Sequence, residues 1–278
     1  MHWTPAGEYD TLFRVGKERF FMHPLSLRVR VARGSLIMAL AAASAADPVL
    51  PGALSTPGRL DASLAHESRA ALDRGLAWLA GQQKPDGSWD GAGQPDLTAL
   101  AVLAFKASPD PSHRPILKRG EACLARLPTN RGEAVWAVLA LTQRLDRAAG
   151  LTSATAGTIL FSRLRAGAGP ADPVVQQSFA WIAAHPEIFR PETLTRDGYA
   201  NVLMLAMALA QSGQNRIPLA DHSLLPWRPL LAGALINRQK TDPETGGLYW
   251  PPAAAAAPAD TLAATCYALL TLQVVLAE

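Results

Sequence analysis

The sequence predicts an all-α protein assembled from repeated helices, and three observations support this fold class. Its composition, with 49% hydrophobic, 18% charged and 6% aromatic residues, fits a mostly helical globular chain. Apolar residues recur at spacings of three and four between turns that contain proline and glycine. Segments about 45 residues apart also resemble one another, and such self-similarity is typical of helical repeat proteins.

The predicted helices are separated by short Pro/Gly turns, and their charge divides them into two layers. Helices that carry arginines and one apolar stripe, such as 62–83 and 113–127, are expected in an outer layer. Helices almost free of charge, such as those near Thr98 and Thr265, are expected in an inner layer, surrounded by protein or lining an apolar cavity. The predicted helices are 62–83, 96–107, 113–127, 131–147, 152–166, 172–185, 197–212, 225–239 and 259–277.

The clearest repeat unit is RGLAWLAGQQKPDGSW, residues 74–89, which joins the end of a helix to a turn. A copy of its first half, RGEACL, begins at Arg119, and a copy of its second half, LINRQKTDPETGGLYW, occupies residues 235–250. A small apolar helix follows each turn: TALAVLAF comes after Trp89, and TCYALLTL comes after Trp250. The looser versions AVWAVLAL and YANVLMLAMAL lie between them, so the chain alternates turn-ended and apolar helices.

This unit resembles the QW motif, the repeat of squalene and hopene cyclases and of related prenyltransferases. The matching residues of the complete copy are Arg74, Gly75, Trp78, Leu79, Gln83, Gly87 and Trp89, and those of the partial C-terminal copy are Gln239, Gly247 and Tyr249. The resemblance implies a small or incomplete α/α toroid of helical hairpins, terpenoid cyclase/protein prenyltransferase-like, over residues 62–278. It also implies that these residues are structural, with an amide and an indole joining one hairpin to the next.

The acidic motifs that would make such a scaffold a catalyst are missing. Class II cyclases use Asp-x-Asp-Asp to protonate a double bond or an epoxide, and enzymes that ionise diphosphates use Asp-Asp-x-x-Asp to hold magnesium; this chain has neither. The Asp-x-Cys spacing of the zinc-binding prenyltransferase subunits is not met, so no metal or cofactor is predicted. The weak catalytic candidates are Asp96 and Asp260, which precede inner helices, resemble N-caps and are expected at one rim.

The remaining chemistry favours binding. If the inner helices leave a cavity, its predicted lining for an isoprenoid or other apolar ligand is Phe105, Trp136, Leu139, Met204 and Tyr267; if they pack together, these residues form a core. One alternative is a scaffold that binds a protein partner at the toroid rim. A second is a terpenoid cyclase/transferase-like or carbohydrate-active enzyme with a non-standard site, with candidate carboxylates at Asp86, Asp90, Asp96, Asp242 and Glu244 beside Trp89, Tyr249 and Trp250.

The N-terminus predicts export to the periplasm or the extracellular space. Residues 1–45 contain arginines, then a short apolar run at 36–43 and a small-x-small cleavage site at 43–45, as in a signal peptide. Counted from Met22, which is a candidate start, the charged region has the usual length. Residues 46–61, rich in proline and glycine, are expected to form a linker, and no transmembrane span is expected in the mature chain.

Charge and cysteine content limit the partners further. The basic excess behind the formal net charge of +3 lies in the leader, and the body has no basic run, which argues against a nucleic-acid partner. The two cysteines, Cys123 and Cys266, lie on helices of different repeats. They form either one disulfide or two free thiols, and the sequence favours free thiols.

Overall fold

Helices dominate the computed structural model, and the predicted all-α fold class is confirmed. The residues that the structure describes are 59–89, 95–126, 151–152, 155–189, 194–219, 221–253 and 257–277. Their helices are α1 Ala62–Gly81, α2 Pro95–Lys106, α3 Arg114–Ala125, α4 Ala156–Arg165, α5 Pro173–Ala184, α6 Arg196–Ser212, α7 Trp227–Ile236 and α8 Pro258–Leu276. Each agrees with a predicted helix to within a few residues, and the predicted helix 131–147 lies outside the described residues.

Local side-chain chemistry accounts for several helix ends. Asp61 Oδ1 accepts a hydrogen bond from the Leu64 N–H at 2.8 Å and so caps α1. Thr195 caps α6 in the same way, and Gly213 ends that helix at a φ of 71°. Asp96 and Asp260, expected to be N-caps, are not caps. Both lie inside the first turn, because their helices begin earlier, at prolines whose fixed φ suits an initial helical position.

The layers follow the charge pattern of the helices. The apolar helix α8 packs against α1, α2, α6 and α7, and its residues from Leu262 to Val275 are all buried. Helix α6 packs between α4 and α8, and α2 packs between α3 and α8. Arginine-bearing α3 lies outside this layer and buries only Gly120. Helices with few charged residues, which lie near their ends, are therefore inside because they can be surrounded by protein without burying unpaired charge.

Helix α8 is also long and apolar enough to cross a membrane by length and composition alone. Of the apolar window within Pro258–Leu276, 78% is buried inside the protein. A core helix of a globular domain has the same appearance, because it too must be apolar on every side. All described residues belong to one compact unit, Ser35–Glu278.

Short irregular elements were not predicted from the sequence. Strand β1, Ile217–Pro218, pairs antiparallel with β2, Leu224–Leu225, and β3, Lys240–Thr241, pairs antiparallel with β4, Leu248–Tyr249. Two short 3₁₀-helices, Pro111–His113 and Pro186–Phe189, precede α3 and follow α5. A strand of two residues has no alternating pattern that a sequence could reveal.

Candidate functional site

The two turns that close α1 and α7 make the same tryptophan contacts. The indole Nε1 of Trp89 donates to the Leu79 carbonyl oxygen at 2.7 Å, and that of Trp250 donates to the Leu235 carbonyl oxygen at 2.8 Å. Both tryptophans are buried, with exposures of 2% and 0%. In each case the indole satisfies a carbonyl in the last turn of the preceding helix. Trp250, and not Tyr249, therefore occupies the position of Trp89 in the C-terminal repeat.

The same tryptophans are tied to the helix that follows. The backbone N–H of Trp89 donates to Thr98 Oγ1 at 3.3 Å, and the backbone N–H of Trp250 donates to Thr265 Oγ1 at 3.1 Å. Both threonines are buried, so each hydroxyl serves a backbone group that would otherwise lack a partner in the core. Each tryptophan therefore connects an outer helix to an inner one.

Each indole packs against a glycine of the next outer helix. A Cβ atom on Gly120 would lie 3.0 Å from the Trp89 ring, and one on Gly75 would lie 2.9 Å from the Trp250 ring. Both distances are shorter than an ordinary contact, so the glycines allow the rings to approach. The set α7, α8 and α1 thus repeats the contacts of α1, α2 and α3. The C-terminal repeat packs on the first repeat as the first packs on the second.

The side chain of Gln83 connects the first turn to α3. Its Nε2 donates to the Gly87 carbonyl oxygen at 3.2 Å and to the Ile116 carbonyl oxygen at 3.0 Å. Its Oε1 accepts from Arg119 Nε at 3.0 Å. The matching Gln239 has a buried Oε1 without a hydrogen-bond partner among the described residues. The glutamine bridge is therefore complete in the first repeat, whereas its counterpart in the last repeat lacks a donor to Oε1.

Residues of α1 hold the C-terminal turn in place. Arg74 Nη2 donates to the Gly246 carbonyl oxygen at 2.8 Å, and Trp78 Nε1 donates to Asp242 Oδ2 at 2.9 Å. The Trp78 ring also stacks on Tyr249, with centroids 5.4 Å apart. Gly247 lies against Trp78, since a Cβ there would come within 2.7 Å of the Trp78 Cβ. These motif residues therefore hold the C-terminal turn against α1.

The carboxylates of the two turns serve the backbone. Asp86 Oδ1 accepts hydrogen bonds from the Ser88 hydroxyl at 2.7 Å and the Ser88 N–H at 2.9 Å, and these bonds lower the pKa of Asp86. A hydrogen bond from the Glu244 N–H, followed by those from Trp78 and Thr245, lowers the pKa of Asp242. A carboxyl with a lowered pKa is poorly suited to act as a general acid near neutral pH. Asp90 lies outside the described residues.

The predicted ligand-binding residues fall into different environments. Phe105 is 1% exposed and stacks on Trp89 with centroids 5.7 Å apart. It also meets the His113 ring edge-on at 5.2 Å, so it is part of the core around Trp89. Met204 is 8% exposed and Tyr267 is 5% exposed. The other two predicted residues, Trp136 and Leu139, lie outside the described part of the chain.

One face of the inner helices keeps some solvent accessibility. On α6 the half-buried Ala200 and Met207 lie at helical spacing with Met204, whereas Ala206 and Leu209 are fully buried. On α8 Tyr267, Leu270 and Val274 lie along one stripe with small exposures, and Leu262 and Gln273 keep similar exposures on another side. We call this surface the inner face and define it by Leu103, Met204, Met207, Tyr267, Leu270 and Val274.

On each of the inner helices that the structure describes, an aspartate stands two helical turns before an apolar or aromatic residue of the inner face. Two turns return a side chain to the same face, so these aspartates lie at the N-terminal end of that surface. We call them the acidic rim. The pairs are Asp96 and Leu103 on α2, Asp197 and Met204 on α6, and Asp260 and Tyr267 on α8.

The acidic rim holds one ion pair among the described residues. Asp260 accepts from Arg196 Nη1 at 3.4 Å, and the two side chains are 35% and 44% exposed. Asp96 and Asp197 are exposed, and within the described ranges neither has a hydrogen bond or an ion pair. No group of three His, Cys, Asp or Glu side chains in those ranges could hold a metal ion. The rim is therefore an open arrangement of carboxylates.

The two cysteines are free thiols in different surroundings. Cys266 is buried in α8, and burial raises its pKa to about 12, whereas Cys123 on α3 is half-buried. Only a thiolate is nucleophilic, so at pH 8 an aromatic disulfide reagent is expected to modify Cys123 and to leave Cys266 unmodified. The measurement is thiol stoichiometry on native protein, with protein unfolded in guanidinium as the control that releases both thiols. Rapid modification of both in the native state would contradict the burial of Cys266.

Sequence reasoning identified Asp96 and Asp260 but missed Asp197 and Arg196. The available signal was the recurring distance of two helical turns between an aspartate and a residue of the inner face. Function must be argued from these residues directly, because comparison of the chain with protein-family models, curated proteins and solved structures finds no match.

Proposed function

We propose that the chain is an exported squalene-cyclase/prenyltransferase-like repeat protein that binds an isoprenoid or other apolar ligand and lacks cyclase activity. The observation that carries this proposal is the inner face. Part of the small accessibility left on α6 and α8 lies along apolar stripes, one through Met204 and Met207 and the other through Tyr267 and Leu270. An apolar surface with a few polar groups at one end has the lining that small-molecule sites usually have.

The contacts between repeats support a closed arrangement around this surface. Trp250 packs on Gly75 as Trp89 packs on Gly120, so the C-terminal repeat and the first repeat are neighbours of the same kind as the first and second. Units related by one repeated contact and returning to the first unit form a ring. We therefore propose a small α/α toroid whose inner helices surround the ligand.

The energetics of such a site are favourable for a lipid chain. A buried methylene contributes about 0.8 kcal/mol, so a fifteen-carbon isoprenoid would gain roughly 12 kcal/mol of gross transfer free energy. Association costs several kcal/mol of lost translational and rotational freedom, and the remainder is on the order of a micromolar complex.

The test is mass spectrometry of small molecules extracted from the purified full-length protein, followed by melting in the presence of added farnesol. Farnesol is expected to raise the melting temperature, because a ligand that binds only the folded state stabilises it by mass action. Met207→Arg should abolish the shift, since it places a charge on an apolar surface that must lose water when ligand binds.

Leu224→Arg is the matched control, because Leu224 is a large apolar side chain that is 52% exposed and lies outside the inner face. It should leave the farnesol shift unchanged. An equal shift in wild type and in Met207→Arg would place the ligand elsewhere. Absence of any lipid-dependent shift, with a protein partner recovered instead, would favour the scaffold function at the rim.

A further inference from the structure

The inner face ends at charged residues, which are uncommon next to a site for an apolar ligand. Its acidic rim contributes three carboxylates, and Arg196 contributes one guanidinium next to Asp260. The side chains at this end therefore carry an excess of negative charge. Asp260 is already paired with Arg196, in a partly exposed ion pair. Asp96 and Asp197 are therefore the two carboxylates of the acidic rim that are available to a ligand.

We infer that the ligand bound on the inner face carries a cationic amine head group, which the acidic rim and the Tyr267 hydroxyl receive. This inference rests on the proposed function, because it assumes that the body of the ligand lies along the inner face. It adds the chemical class of the head group, which the apolar surface alone does not specify.

Tyr267 is an observation independent of the acidic rim. Only 5% of its surface is exposed, and its hydroxyl has no hydrogen bond within the described residues. Side chains on a helix lean toward its N-terminus, so this hydroxyl points from the middle of α8 toward the rim. A head group that donates a hydrogen bond would give this hydroxyl a partner.

Charged residues of α6 and α2 influence the pKa of Tyr267. Burial raises its pKa, the Arg196 charge lowers it, and Asp197 and Asp96 raise it. Charges on α6 and α2 therefore act on a hydroxyl of α8, and both of these helices pack against α8. A ligand atom next to the hydroxyl would experience the same carboxylates.

An organic amine fits this position better than the other charged ligands. A free helix N-terminus favours anions, but here an aspartate already stands in the first turn of each helix and would repel them. Among the residues that the structure describes, no group of three or more His, Cys, Asp or Glu side chains could hold a metal ion. An ammonium group donates up to three hydrogen bonds, and carboxylate and phenol oxygens are acceptors for them.

The experiment compares decylamine, decanol and decanoate at pH 7, below their micelle concentrations, by calorimetry on the full-length protein. Because the three probes share one chain, differences in Kd report the head group. Decylamine is expected to bind about tenfold more tightly than decanol, and decanoate should bind most weakly. Asp197→Asn should weaken decylamine about fivefold while leaving decanol unchanged, and Arg196→Gln should strengthen decylamine.

The matched control is Glu67→Gln, which removes one exposed carboxylate from the outer helix α1 and should change neither Kd. Tyr267→Phe keeps the ring and removes the hydroxyl, so it should weaken decylamine more than decanol. Equal binding of the three probes would overturn the amine inference and leave apolar binding intact. Binding of none of them would overturn the proposed function, and the inference with it.

Discussion

Replacing Trp89 with alanine is expected to lower the free energy of unfolding by about 3–5 kcal/mol, the usual loss for a buried large aromatic side chain. Trp89 is 2% exposed, stacks on Phe105 and packs against Gly120 of α3. Its loss would leave a cavity and would also deprive the Leu79 carbonyl oxygen of its indole donor. The midpoint of urea unfolding, with the slope checked for two-state behaviour, measures the loss.

Two further tryptophans serve as comparisons. Trp250→Ala should cost a similar amount, because Trp250 repeats the indole and glycine contacts of Trp89. Trp181→Ala should cost less, because this half-buried residue on α5 stacks on His185 near the surface. If the urea midpoint of Trp89→Ala equalled that of the wild type, the contacts of Trp89 would not hold α1, α2 and α3 together.

Gly87→Ala is expected to lower the free energy of unfolding by about 3 kcal/mol through two separate effects. Gly87 has a φ of 89°, and a left-handed backbone costs a residue with a Cβ about 1–2 kcal/mol. A Cβ would also clash with the Arg119 carbonyl oxygen and would lie 2.8 Å from the Arg119 carbonyl carbon. Because these are backbone atoms of α3, the helix must move, and overpacking of this kind costs about 1–3 kcal/mol.

Gly246→Ala separates the two effects. Gly246 lies in the corresponding C-terminal turn with a φ of 68°, but no atom lies within 4 Å of the position of its Cβ. This variant should lose only the backbone term, about 1 kcal/mol. Equal losses in Gly87→Ala and Gly246→Ala would show that the approach of the first turn to α3 contributes nothing to stability.

Most of the helical architecture could be predicted because its signals are local. The apolar stripe of α1 and the stop at Pro85 to Gly87 are visible in one short segment, and the inner position of α8 follows from its lack of charge. Helix starts were less certain. Asp96 and Asp260 are of a residue type that often caps helices. In each case, however, a proline begins the helix one or two residues earlier.

The alignment of the two turns shows what a motif alone leaves undetermined. The spacing Gly-x-aromatic assigns Tyr249 to the position of Trp89, whereas the hydrogen bond to Leu235 assigns Trp250. The inserted residues of the second turn form the ribbon of β3 and β4, which shifts the glycines relative to the tryptophan. Tyr249 instead stacks on Trp78, a long-range contact that no single segment encodes.

The candidate site was the least predictable part, because it depends on three helices that are distant in sequence. Asp197 looks like an ordinary first-turn acid until α6 is placed beside α8. Phe105 looks like a lining residue until it is found stacked on Trp89. The roles of Trp136 and Leu139 stay predictions, since both lie outside the described residues.

The position of α8 among its neighbours has a consequence for biosynthesis. Residues 258–276 follow all the other described helices in the chain, yet they cover apolar surface of α1, α2, α6 and α7. At a synthesis rate of about 5–20 residues per second, those surfaces stay open to water and to other nascent chains until the ribosome has passed this segment. Folding therefore cannot finish repeat by repeat before residues 258–276 have emerged, and a chaperone that holds the unfinished chain would find its binding surface on the faces that α8 later covers.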